Sequence, residues 1–77
     1  MTFLLFYLDG CSHCEEAKKM LSKFKELTYI EANSGNPLLE ELNITKFPTL
    51  VIQGDSAGDP IKYEGVHEIK LILDQYD

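Results

Sequence analysis

From Phe3 to Leu8 every residue is apolar or aromatic, with no polar position between them, and Asp9 ends the run. Continuous rather than alternating hydrophobicity predicts a strand covered on both faces. Gly10 then offers a sharp turn, and the period changes. Cys14, Ala17, Leu21 and Phe24 fall on one face of a helix, with Met20 beside it, while Lys18, Lys19, Ser22 and Lys23 are expected to face water. This helix is expected to run to about Lys25. Ser12 and Glu15 have the spacing of a capping box at its start, with Cys11 as an alternative member of the first turn.

Leu27 to Ala32 reads as a second strand, with Ile30 as its surest core residue. Asn33 to Pro37 is a turn cluster in which Asn36 suits a helix cap and Pro37 the first helical position. Leu38, Leu39 and Leu42 give the short helix that follows one apolar face, ending near Asn43. Thr49 to Gln53 is a third strand, rich in β-branched residues, and Gly54 to Pro60 is a hairpin connection. Ile61 to Glu64 returns as a partly exposed strand that Gly65 breaks, and Ile69, Ile72, Leu73 and Tyr76 mark a final amphipathic helix. The order is β-α-β-α-β-β-α. A helix after the first strand implies a right-handed parallel crossover, and the Gly-rich loop implies an antiparallel last pair. The predicted class is α/β, a four-stranded mixed sheet with helices flanking both faces.

At 77 residues the chain has room for one domain, residues 1–77, and its 44% hydrophobic content fits a compact fold rather than a disordered one. Seven lysines, no arginine and 13 acidic residues give a formal charge of −6. That balance argues against nucleic acid and against an anionic membrane surface, both of which call for clustered cations. The apolar start lacks a basic leader region, and Asp9 cuts it too short for a secretory signal. No stretch has the length of a membrane span.

The candidate chemistry is Cys11-Ser12-His13-Cys14. It sits where a buried strand gives way to a helix, so the unpaired N–H groups of the helix start favour a thiolate there. Two intervening residues let the sulfurs meet. Such a small ring would constrain little chain entropy, so the pair reads as chemical rather than structural. A reducing cytoplasm is the expected compartment. The alternatives are a buried thiol pair or half a zinc site, and for the latter the chain offers only two cysteines, His13 and His67. His13, if partly protonated, would stabilise the Cys11 thiolate and make the disulfide more oxidising, with Glu15 and Glu16 opposing it. Pro48, read locally, is an ordinary proline at the start of a strand.

Three marks together give the chain a resemblance to the thioredoxin-fold superfamily in its smallest, glutaredoxin-like form. They are Cys11-Ser12-His13-Cys14, then Lys46-Phe47-Pro48-Thr49-Leu50, then Tyr63-Glu64-Gly65-Val66-His67-Glu68. The resemblance implies that Cys11 is the nucleophile and Cys14 the resolving thiol. It implies a cis Pro48 facing the dithiol, with the Phe47 backbone pairing to an extended substrate. It also implies a glutathione site at Gly65, His67 and Glu68, with Lys46 on a carboxylate. The family's usual Gly-Gly is Glu64-Gly65 here, and its basic residue ahead of the dithiol is Leu8. Thioredoxins proper usually carry Trp before the dithiol and an acid in the first strand. This chain has Gly10 and no such acid, whereas Pro48-Thr49-Leu50 is more thioredoxin-like.

The activity so implied is that of a dithiol oxidoreductase reducing protein disulfides. No tightly bound cofactor is expected, and regeneration would come from glutathione or a flavoprotein reductase. Ribonucleotide reductase is a substrate by family analogy. One rival is a thioredoxin-like reductant that ignores glutathione. Another is a binding module or glutathione-assisted iron–sulfur carrier. A monomer is expected, because exchange needs an open face.

Overall fold

The computed structural model describes residues 2–54 and 58–75. The elements are β1 (Thr2–Tyr7), α1 (Ser12–Leu21), β2 (Leu27–Glu31), α2 (Leu38–Glu41), β3 (Thr49–Gln53), β4 (Ile61–Glu64) and α3 (Val66–Leu73), in the expected order. The strands lie side by side as β2-β1-β3-β4. β1 is parallel to β2 and antiparallel to β3, and β3 is antiparallel to β4, so the sheet is mixed. Met1, Tyr76 and the hairpin residues Asp55, Ser56 and Ala57 lie outside the described residues.

The inner position of β1 explains its unbroken apolar run. Leu5 packs on one face with Leu50, Ile52, Ala17, Leu21, Ile69 and Leu73, which places α1 and α3 there. Leu4 and Phe6 pack on the other with Ile30, Val51 and Ile44, against partly buried Leu38, Leu39 and Leu42 of the α2 region. A fully buried Leu or Phe side chain contributes about 1.5–3 kcal/mol, and a domain this small depends on both clusters.

Several boundaries differ from expectation. α1 ends at Leu21, a turn short of Lys25. The Ser22 backbone N–H and hydroxyl both donate to the Lys19 carbonyl, at 3.4 and 2.8 Å, which closes the last turn early. Phe24 stays in phase without being helical, because its N–H bonds the Leu21 carbonyl and its ring rests 5.7 Å from that of Phe3. The capping box does not form. Cys11 is the N-cap, extended at φ −92 and ψ 124, which makes Ser12 the first helical residue and leaves no side-chain cap.

α2 starts one residue later than expected: Pro37, with φ −62, takes the cap position rather than the first helical one, while Asn36 Oδ1 still accepts the Leu38 N–H at 2.9 Å. The helix stops at Glu41 as Asn43 turns left-handed at φ 54, and the Ile44 N–H reaches back to the Leu39 carbonyl at 2.9 Å. Leu8, expected at the end of β1, lies beyond it and is 40% exposed. Lys18, expected to face water, is half-buried with Nζ 3.8 Å from the Tyr7 ring centroid. Among the described residues, no helix is long and apolar enough to cross a membrane.

Candidate active site

Strand register gathers the marked residues at one end of the sheet. Phe6 pairs with Thr49 and Thr49 with Glu64, so Pro48 and Gly65 follow just beyond the β1–β3 and β3–β4 ladders, level with Tyr7 at the end of β1. The segment from Leu8 to Cys11, the turn at Lys46 to Pro48 and the start of α3 all emerge there. The Phe47–Pro48 bond is cis. Pro48 is buried and its carbonyl accepts the Gly65 N–H at 2.8 Å. Thr49 Oγ1 ties the turn back by donating to the Lys46 carbonyl at 2.6 Å.

The two cysteines are both free thiols, Cys11 half-buried and Cys14 buried. Gly10, at φ +80, makes the turn, and the Cys11 N–H bonds the Leu8 carbonyl at 3.3 Å. Cys11 is thereby set at the mouth of α1. The Cys14 N–H and its thiol both donate to Cys11 Sγ and hold the Cys11 pKa below the ordinary thiol value, helped by the His13 N–H and opposed by desolvation and Glu15. Cys14 goes the other way. Burial pushes its thiol up, and the bond it gives to Cys11 adds to that, while the Leu8 N–H donates to its Sγ at 3.3 Å and works against the rise. An ionisable outer sulfur and a protonated inner one are thus paired in a single turn.

The other expected residues divide. Phe47 is half-buried against the cluster that contains Leu4, Phe6 and Ile44, and its backbone N–H and C=O make no hydrogen bond among the described residues. Gly65 is fixed by Pro48, whereas Lys46, His67 and Glu68 are exposed at the same end. His13 is exposed too, and the part of it that reaches Cys11 is its backbone N–H. Among the described residues, no three His, Cys, Asp or Glu side chains gather as a metal would need.

Two contacts had no counterpart in the sequence reading. One is the Leu8 N–H on Cys14, and the other is Lys18 over Tyr7. Neither follows from helical spacing, because each depends on how α1 lies against β1 and the segment after it. Lys18 also lies 4.0 Å from Glu15, the outer limit of an ion pair, so the ring is the closer restraint on Nζ.

No family model and no curated protein matches the sequence. Solved structures do match over nearly the whole chain. A glutaredoxin from Brucella melitensis superposes with a TM-score of 0.64 at 21% identity, covering 97% of this chain and 80% of that one. Deadhead, the germline-specific thioredoxin of Drosophila melanogaster, gives 0.66 at 18% identity, covering 97% and 77%. The chain has the thioredoxin fold. The J-Trx1 fragment of ERdj5 also matches at a TM-score of 0.65 and 20% identity, and this chain spans 96% of its own length but 40% of that fragment. Thioredoxins and glutaredoxins both appear among these thioredoxin-fold neighbours, so the likeness establishes the architecture in common.

Proposed function

We propose that this chain is a dithiol oxidoreductase of glutaredoxin-like type. The observation that carries the reading is the arrangement of the two free thiols, Cys11 at the cap of α1 and Cys14 buried one turn on under the Leu8 N–H, at the sheet end that also holds the cis Phe47–Pro48 bond. The Cys11 thiolate attacks one sulfur of a substrate disulfide, and the other sulfur leaves with the electron pair and takes a proton from solvent. Cys14, as thiolate, then attacks Cys11 Sγ. The Cys11–substrate bond breaks, the substrate leaves as its second thiol, and Cys11–Cys14 is left oxidised. Two electrons pass from the dithiol to the substrate. Regeneration takes them back from glutathione or from a flavoprotein reductase.

The uncommitted Phe47 backbone supports capture of an extended substrate segment as an added strand. Gly65 and the start of α3, with Lys46, His67 and Glu68 exposed nearby, support a glutathione-binding role. A cytoplasmic setting, with protein disulfides such as that of ribonucleotide reductase as substrates, belongs to the same proposal. The test is capture with Cys14→Ser, which is expected to stall substrates as mixed disulfides on Cys11, while Cys11→Ser captures none. Turnover of the oxidised protein by glutathione with glutathione reductase supports the glutaredoxin-like assignment. Turnover by thioredoxin reductase alone replaces it with the thioredoxin-like one.

A further inference from the structure

Cys14 has a task its surroundings make hard. It is 1% exposed on the apolar face of α1, yet it must carry negative charge to displace a substrate from Cys11. Desolvation opposes that charge. β1, which runs toward it, is Thr-Phe-Leu-Leu-Phe-Tyr and supplies no carboxylate to take the proton.

We propose that Lys18, held in place by the Tyr7 ring, is a positioning residue that supports the Cys14 thiolate during release of the substrate from Cys11. Lys18 lies one helical turn beyond Cys14, where side chains share a face. Its Nζ is 3.8 Å from the Tyr7 ring centroid, and Tyr7 is itself braced edge-on by Tyr29 at 6.4 Å and 78°. Tyr7 is directly followed by Leu8, whose N–H donates to Cys14 Sγ. One stretch of chain therefore holds the ammonium and aims a hydrogen bond at the sulfur. Both favour the thiolate, and the charge of Lys18 lowers the Cys14 pKa against the effect of burial.

The groups around Cys14 and the ammonium are Cys11 and Glu15 on α1, Tyr7 on β1 and Tyr29 on β2. Glu15 partly offsets the ammonium from 4.0 Å. Cys11 is governed chiefly by the bonds from Cys14, then by desolvation and the His13 N–H, with Glu15 opposing. Lys18 thus acts on the second step of the exchange.

The inference rests on the reading of Cys11 as nucleophile and Cys14 as resolving thiol, and its test separates the two. Dithiobis-nitrobenzoate releases one coloured thiolate when Cys11 attacks and a second when Cys14 resolves. The Cys14 midpoint is read independently from the 13Cβ shift of the reduced protein. Lys18→Gln is expected to raise that midpoint and slow the second release at neutral pH on the order of threefold, the scale of a half-exposed charge pair, with the first release unchanged. Lys18→Arg should restore both. Tyr7→Phe keeps the ring and should leave both as they were, while Tyr7→Leu should shift them in the direction of Lys18→Gln. An unchanged Cys14 midpoint in Lys18→Gln, or equal slowing of both releases, overturns the role of Lys18. Absence of the first release from the unsubstituted protein overturns the nucleophile assignment instead, and the midpoint comparison still decides the matter of Lys18.

Discussion

The Gly65 N–H donates to the Pro48 carbonyl at 2.8 Å, which fastens the start of α3 to the turn that enters β3. Both residues lie one step beyond the Thr49–Glu64 pair, at the sheet end where the dithiol emerges. Gly65 is at φ 92 and ψ 158, backbone territory that belongs almost entirely to glycine. A Cβ added there would meet nothing within 4 Å, so the cost of a side chain is conformational rather than steric.

Gly65→Ala is therefore expected to destabilise the protein by about 1–3 kcal/mol. Urea denaturation gives the value directly. A loss near zero would mean that the backbone at this position relaxes freely, and that the bond to Pro48 does not fix it.

Reduced and oxidised protein should differ in how stability follows pH. Burial raises the Cys14 pKa above 9.0, so the folded state holds that proton more tightly than the unfolded state. Its contribution is fully present below 9.0 and is lost as pH rises through the folded value. Cys11 is lowered, so its contribution is present above 9.0 and is lost as pH falls through its folded value. Denaturation midpoints across a pH series should show a rising arm and then a falling arm in the reduced protein that the oxidised protein lacks. Cys14→Ala should abolish the falling arm.

Substitution of His13 distinguishes its backbone from its ring. The N–H that reaches Cys11 survives in His13→Ala and is lost in His13→Pro, which the first turn of a helix tolerates. Thiolate absorbance is expected to show the Cys11 midpoint rising in His13→Pro. Any rise in His13→Ala, which keeps that N–H, measures what the imidazole adds, and the excess rise in His13→Pro measures the N–H. The disulfide potential should lie between roughly −180 and −270 mV, the bracket of related carriers, with both substitutions moving it toward the reducing end.

Much of this was legible from residue order. The unbroken Phe3–Leu8 run called for a strand covered on both faces, and Leu4, Leu5 and Phe6 are buried on alternate sides of β1. Pro48 was different, because nothing local distinguishes a cis proline from one that opens a strand, and only the resemblance pointed to it. The end of α1 is not legible from periodicity, because Phe24 keeps helical phase yet reaches the core from a turn after Ser22 has closed the helix. Ser12 and Glu15 have capping-box spacing, yet Cys11 takes the cap one residue earlier. A lysine on the polar face of a helix is expected in water, and Lys18 departs from that. Its contact with Tyr7 depends on how α1 lies against β1, which helical periodicity does not specify.

Thiol–disulfide exchange by this chain depends most on Cys11 being the sulfur that ionises. Its most direct test is the pH dependence of iodoacetamide alkylation of the reduced protein, with the modified position read by peptide mass. Modification is expected at Cys11 first, with a midpoint below 9.0 and a neutral-pH rate above that of an unstructured cysteine peptide. Alkylation of Cys14 first, or a Cys11 midpoint at or above 9.0, would contradict it.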